Sequence, residues 1–306
     1  MAGFGAAGLP VGLTACGSDD DQNGALAGKV QFLHGVASGD PQQNRVIIWT
    51  RITPEDESLR LELAWEVSQD EQFKMLVSSG KVQTSSAVDF TVNVDAAGLK
   101  PAQRYFYRFK FGNAASAVGQ TKTLPASAEQ VSFAVCSCAN YPAGYFHVYK
   151  EMAKQNVDAV LHLGDYIYEY GQGGYATENA QALGRTLAPD NNKELLNLAD
   201  YRKRYALYRL DADLQAAHQR HPFIVIWDDH ELANDAWRDG ADNHQQDEGD
   251  FYARKTAALQ AYFEWMPIRT KSANDHLNIY RQFNFGNLVQ LNMLDTRILA
   301  RSEQLQ

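Results

Sequence analysis

Two different spacings of apolar residues divide the chain. From about Phe32 to Phe111, apolar and polar positions alternate over short runs broken by turn residues, as in Leu61, Leu63, Trp65 and Val67 and again in Val88, Phe90, Val92 and Val94. A period of two without a helical repeat predicts strands that each bury one face, and therefore an all-β module of packed sheets. Gly98 to Tyr105 then leads into Tyr107, Phe109 and Phe111. This is the pattern of the tyrosine corner of immunoglobulin-like and fibronectin-like sandwiches, in which the Tyr105 hydroxyl is expected to bond to backbone. Thr121 to Gln130, with Pro125 among small polar residues, reads as a linker.

Beyond that point the apolar runs become solid. Val131 to Val135 runs into Cys136-Ser137-Cys138, the run after Asp158 into Gly164-Asp165, and Phe223 to Trp227 into Asp228-Asp229-His230-Glu231. Runs too short for free-standing helices predict buried strands. Helical spacing from Gly144 to Gln155, between the first two runs, predicts a βαβ connection and parallel pairing. Asp200 to Gln219 and Gly249 to Trp265 also read as helices, and Gly171 to Leu198 as a loop long enough to cover an active site. In open α/β sheets the carboxyl ends of the strands gather the chemistry, so three polar ends are expected to converge on one metal-friendly edge. A last strand, Leu288 to Leu294, precedes Asp295-Thr296-Arg297, and the Gln-rich ending reads as a truncation.

Composition narrows the function. With 306 residues, 45% apolar and 21% charged, the chain can bury a sizeable core and has room for two domains. A net charge of -9 without a Lys/Arg cluster argues against a nucleic-acid binder. The densest basic stretch, Tyr201-Arg202-Lys203-Arg204-Tyr205, reads as a solvated helix face. An acidic chain suits cations, through which an anionic substrate can be accepted.

Gly3 to Leu13 is small and apolar and ends in Leu13-Thr14-Ala15-Cys16 before Gly17, which resembles the lipobox of a bacterial lipoprotein signal. The alternative is an apolar terminus with an incidental cysteine, because a positively charged n-region is missing. A processed form would begin at Cys16 and be held to the membrane by lipid alone, the run being shorter than the ~20 residues of a membrane-spanning helix. Cys136 and Cys138 are too close in sequence for an unstrained disulfide and are expected as thiols or thiolates, with buried structural cysteines as the alternative.

Brought together at strand ends, Cys138, Asp165, Tyr168 and Asp229 would form a metal site. Thiolate and phenolate suit a ferric ion, while carboxylate oxygen can bridge to a harder ion such as calcium. Two metals roughly 3.5 to 4 Å apart polarise a phosphoryl oxygen and acidify water to hydroxide at neutral pH. His230 could bond the reacting phosphate or protonate the leaving alkoxide. Each piece alone has a plainer explanation: a Gly-Asp turn, aromatic packing, a locally bonded histidine. A serine hydrolase finds no Gly-x-Ser-x-Gly elbow.

In order, the segments Phe32 to Pro41 with Arg45 to Arg51, Ser137-Cys138 with Tyr141, His162 to Gly171, Trp227 to Glu231 with Asn234-Asp235, and Asp295 to Arg297 resemble the PhoD-like alkaline phosphatases. These are a branch of the metallophosphoesterases related to purple acid phosphatases. The resemblance implies a leader over 1–30, an all-β immunoglobulin/fibronectin-like sandwich over 31–123, and an α/β metallophosphoesterase core over 130–306. That core would be a mixed β-sandwich flanked by helices, incomplete at its carboxyl end. It further implies Asp165 as the metal bridge, Tyr168 and Cys138 as iron ligands, Asp229 in the place of a metal-binding Asn, and His230 as the motif histidine. The implied activity is hydrolysis of phosphomonoesters or phosphodiesters for phosphate scavenging in the periplasm or at the cell surface, with iron (Fe3+) and calcium, by a monomer. Members of this family continue past Asp-Thr-Arg with further His and Asp ligands, so weak or no turnover is expected of this chain. The competing reading is an inactive phosphatase fragment or non-catalytic surface lipoprotein.

Overall fold

The computed structural model describes residues 29–270, 276–277 and 279–304; the leader and Cys16 lie outside the described residues. The alternating segment forms β1 (Val36–Gly39), β2 (Arg45–Arg51), β3 (Arg60–Ser68), β4 (Leu76–Ser85), β5 (Thr91–Ala97), β6 (Arg104–Phe111) and β7 (Gly119–Lys122). An antiparallel sheet in the order β7-β6-β3-β4 faces β2 and β5 across a core that includes Ile48, Leu63, Val92, Tyr107 and Phe109. Alternation along β6 sends Tyr105, Tyr107, Phe109 and Phe111 inward, as period two requires. The Tyr105 hydroxyl accepts the Lys100 N–H at 2.8 Å, so this tyrosine bonds backbone as expected. Val88 departs from the expected strand. It sits in the 3-10 turn Ser86–Val88, after which Asp89 and Phe90 take left-handed φ of 52° and 55°, and the strand starts at Thr91.

The solid runs form β8 (Phe133–Cys136), β9 (Ala159–His162) and β10 (Pro222–Val225), all parallel. These strands do not make a sheet of their own. β10 pairs in parallel with β1, and the six-stranded order is β8-β9-β10-β1-β2-β5, so one mixed sheet draws strands from both parts of the chain. Gly39 permits the junction. A Cβ there would lie 2.3 Å from the Pro267 carbonyl oxygen and 2.6 Å from that of Phe223, closer than any side chain allows. Thr121 and Lys122, expected in the linker, are instead the end of β7, and Leu124 is buried with its N–H donated to the Gln42 carbonyl at 3.1 Å.

Helix α1 (His147–Lys154) connects β8 to β9, giving the expected βαβ unit. The single helical stretch expected over 200–219 is two helices, α2 (Leu198–Arg209) and α3 (Ala212–Arg220). Asp211 divides them because its carboxylate caps α3, accepting the Asp213 and Leu214 N–H groups at 2.9 and 3.0 Å. α4 (Phe251–Trp265) is capped in the same way by Asp250. Trp265 of α4 packs 5.7 Å from Trp49 of β2, and Arg209 of α2 lies 4.3 Å above the Trp49 ring. Burial of such rings is worth roughly 2–3 kcal/mol each and ties the helices to the shared sheet. The last strand candidate pairs away from this sheet, as a hairpin of β11 (Arg281–Phe285) and β12 (Val289–Met293). No described helix is long and apolar enough to cross a membrane.

Candidate metal centre

Register places the site. Cys136 pairs with His162 and His162 with Val225, so β8, β9 and β10 end level and their carboxyl loops emerge side by side. The backbone then folds these loops onto one another. The Cys138 N–H donates to the Gly164 carbonyl at 3.1 Å and the Ala139 N–H to that of Asp165 at 2.8 Å. Cys138 and Asp165 both adopt left-handed backbone, with φ of 58° and 55°. Asp tolerates this region, whereas for Cys it stores roughly 1–3 kcal/mol of strain, held in place by these hydrogen bonds. At Gly164, φ is 102° and a Cβ would meet the Asp228 nitrogen at 2.3 Å, so glycine brings the second and third loops into contact.

Asp165 is the hub. Its Oδ2 accepts from the Cys138 thiol at 3.3 Å and from the Tyr168 hydroxyl at 3.2 Å, while its buried Oδ1 has no hydrogen-bond partner. Asp165, Asp229 and His230, all buried, each offer a ligand atom within 4.8 Å of the others. An orphaned carboxylate oxygen beside a second carboxylate, an imidazole, a thiol and a phenol is the donor set of a cation site, and the residues fit one. Cys136 lies outside it. Its thiol points 3.7 Å from the Leu161 carbonyl oxygen within the sheet, and burial pushes its pKa up to about 12; both cysteines are free thiols. His162 also turns away, bonding the Tyr149 hydroxyl at 3.1 Å in the core.

Burial and mutual repulsion set the electrostatics of these groups. Burial, and then the Asp165 carboxylate, raise both the Cys138 thiol and the Tyr168 phenol above their ordinary values. Burial raises Asp229 despite the His230 and Arg297 charges nearby. Burial opposes charge on His230 too, but hydrogen bonding to Glu169 and the Asp165 and Asp229 carboxylates outweigh it and lift its pKa to about 9. A bound cation reverses this field and favours the ionised donors.

A sequence model of the PhoD-like phosphatase family matches residues 133–306, and a model of the PhoD-like phosphatase N-terminal domain matches 18–125. The chain belongs to the PhoD-like phosphatase family. It is 41% identical over 305 residues to alkaline phosphatase D of Bacillus subtilis (strain 168), covering 95% of this chain and 51% of that protein. A solved structure of PhoD matches with a TM-score of 0.80 at 41% identity, covering 89% of this chain and 53% of that one. The fold is therefore PhoD-like, with mixed sheets and flanking helices, and the chain spans about half the length of the relatives it matches.

Several residues that position these side chains carry no ligand signature in the sequence. Glu169 accepts His230 Nδ1 at 2.8 Å, the Asn234 N–H at 2.7 Å and the Asn243 amide at 2.8 Å, fixing the imidazole. Burial pushes the Glu169 pKa upward, but these partners outweigh it and hold it below the usual value. Arg204, expected on a solvated helix face, is fully buried. It donates to the Tyr168 carbonyl, to that of Tyr170 at 2.8 Å and to Asn191 Oδ1 at 3.1 Å, pinning the loop that carries Tyr168. Tyr201 and Tyr205 are buried with it, so the basic run is not a solvated face; of its five residues Lys203 alone is exposed, paired with Asp190. Arg297 contacts Asp228 at 2.6 and 3.2 Å, lies 3.7 Å from Asp229 and 3.4 Å from Asp235, and so braces the third loop. Asp295 holds that arginine's turn, accepting the Arg297 N–H at 2.8 Å and Trp227 Nε1 at 3.0 Å. The Asp-Thr-Arg motif was the available signal, but it named no partner.

Proposed function

We propose that the chain serves metal-dependent hydrolysis of phosphate esters, with Cys138, Asp165, Tyr168 and Asp229 holding the metal and His230 facing the reacting phosphate. The observation that carries this reading is the buried Asp165 Oδ1 without a partner, next to Asp229 and His230. Cys138, Tyr168 and Asp165 would hold iron, which thiolate and phenolate favour, and the Asp165 and Asp229 carboxylates would hold a harder ion such as calcium. Such cations, when bound, supply Lewis acidity toward a phosphoryl oxygen and toward water.

The protein's own groups divide the remaining work. Glu169 occupies His230 Nδ1, which leaves Nε2 as the ring atom for the phosphate or the departing alkoxide. Tyr168 stacks on His230 at 4.2 Å and restricts the ring's rotation. Family membership with alkaline phosphatase D as a relative supports the reading, as does the donor set. It extends to phosphomonoesters and phosphodiesters, an all-β amino-terminal module of the immunoglobulin/fibronectin type, a monomer, and export to the periplasm or cell surface with a lipid on Cys16.

The test is elemental analysis of the desalted chain and of Asp165→Asn. Near-stoichiometric iron with calcium in the first and loss of both in the second, with unchanged circular dichroism, is the expected result. A folded wild-type chain that takes up no metal from supplemented buffer overturns the proposal. Phosphate release from a monoester and a diester by the loaded chain then distinguishes the two substrate classes.

A further inference from the structure

Next to the metal centre a groove of about 360 Å³ opens between the Cys138 loop and the segment that follows Tyr168. Cys138 and Tyr168, which both hydrogen-bond Asp165, form its inner end. Tyr145, Val148 and Tyr175 line it outward, and they are 56%, 56% and 61% exposed. Large apolar surface left in water beside a polar centre marks a place where something binds. None of the described residues lining the groove is charged.

The rings form a series leading away from the site. His230 stacks on Tyr168 at 4.2 Å and 27°, and Tyr168 stacks on Tyr175 at 6.1 Å and 20°. The walls are held before any ligand arrives. The Tyr145 hydroxyl donates to the Leu183 carbonyl at 3.0 Å, and the Asn140 amide donates to the Tyr175 carbonyl at 3.4 Å. Arg185 lies 3.7 Å over the Tyr141 ring, donates to the Tyr141 carbonyl at 2.7 Å, and bonds Asp211 at 2.7 Å, fastening one wall to the other.

We infer, on the basis of the phosphoesterase reading above, that this groove is the subsite for the alcohol side of the ester and takes a flat, uncharged ring. The phosphate lies at Asp165, Asp229 and His230, and the ring stacks against Tyr175. An aryl group and a nucleobase share this chemistry. A charged alcohol meets no residue of opposite charge among the described lining residues.

Calorimetric titration of the metal-loaded 306-residue chain tests it, with inorganic phosphate, methylphosphonate, phenylphosphonate and a nucleoside 5′-phosphonate as probes. The phenyl compound is expected to bind on the order of tenfold tighter than the methyl compound, the gain of one stacked ring. Tyr175→Ala removes that ratio while leaving inorganic phosphate affinity within about twofold, and Tyr175→Phe retains it. Gain by the phenyl compound alone identifies an aryl ester, and a larger gain by the nucleoside compound identifies a nucleotide. Equal affinity for methyl and phenyl compounds with phosphate binding intact overturns the subsite alone. Absence of phosphate binding overturns the phosphoesterase reading and the subsite with it.

Discussion

Glu231 holds Asp165 through the backbone. Its Oε2 accepts the Asp165 N–H at 3.1 Å and the Asp228 N–H at 2.9 Å, while Oε1 accepts the Tyr166 N–H at 2.5 Å. One buried carboxylate thus ties the loop after β9 to the loop after β10. Burial, together with the Asp165 charge, pushes the Glu231 pKa up to about 8 despite these three donors. Glu231→Gln must turn its amide nitrogen toward one of the N–H groups, at a cost of about 1–3 kcal/mol. Urea unfolding should show that loss, accompanied by weaker metal uptake. A variant as stable as the parent and fully metallated would remove Glu231 from the positioning of Asp165.

Gly164 is the other point where these loops meet, and there the constraint is steric. Gly164→Ala adds a methyl group 2.3 Å from the Asp228 nitrogen at a φ of 102°. Neither neighbour is the end of a flexible side chain, so the loops must separate, and we expect a loss of at least ~3 kcal/mol. A melting temperature within experimental error of the parent's would contradict the close approach.

Tyr168→Phe separates packing from ligation. The ring remains stacked on His230 and Tyr175, so the fold should be kept, while the hydroxyl now 3.2 Å from Asp165 Oδ2 is lost. If Tyr168 binds iron as a phenolate, the visible absorption of the iron-loaded chain should disappear in the variant. An unchanged spectrum would exclude the phenolate ligand.

Stability should fall on acidification, through histidines remote from the chemistry. Burial depresses the pKa of His34 and His162 from 6.5 to about 3, and that of His218 well below 6.5. Below pH 6.5 the unfolded chain takes up these protons and the folded chain does not, so their stabilising contribution, complete above 6.5, drains away toward pH 3. Glu231, raised from 4.5 to about 8, acts in the opposite sense, stabilising at low pH and losing its contribution as pH rises. His221, lowered by burial to about 4, adds to the first set, while His230, raised to about 9, and the raised Asp40 and Asp229 act with Glu231; the metal-free chain is expected to lose stability from pH 6.5 toward 4.5, where the depressed histidines change most. Urea titrations at pH 7, 6 and 5 measure it, and a flat profile would show that these histidines protonate in the folded state.

Local pattern carried far in this protein where the deciding interactions are near in sequence. Alternation in Leu61 to Val67 and in Tyr105 to Phe111 specified strands with one buried face, because side chains on a strand point to opposite sides whatever the partner. Solid apolar runs ending in Cys138, Asp165 and Asp229 specified strands, and the helix between the first two required parallel pairing; the expected burial holds for β9 and β10, whereas β8 is the edge strand of the sheet and leaves Val135 54% exposed. From that alone the donors could be expected at one edge, with the type of chemistry that thiol, phenol and carboxylate imply. What depended on contacts distant along the chain was out of reach. The pairing of Phe223 with Gly39, which merges two parts of the chain into one sheet, needs a backbone approach that no local pattern encodes. Arg204 in a basic run looks solvated until the loop beyond Tyr168 folds over it, and nothing local to Glu169 or Glu231 names the N–H and imidazole partners that reach them from elsewhere in the chain. Hydrophobic periodicity reports which face of an element is buried; which polar groups are buried with it is decided by tertiary packing, because only there does a partner exist to offset the lost water.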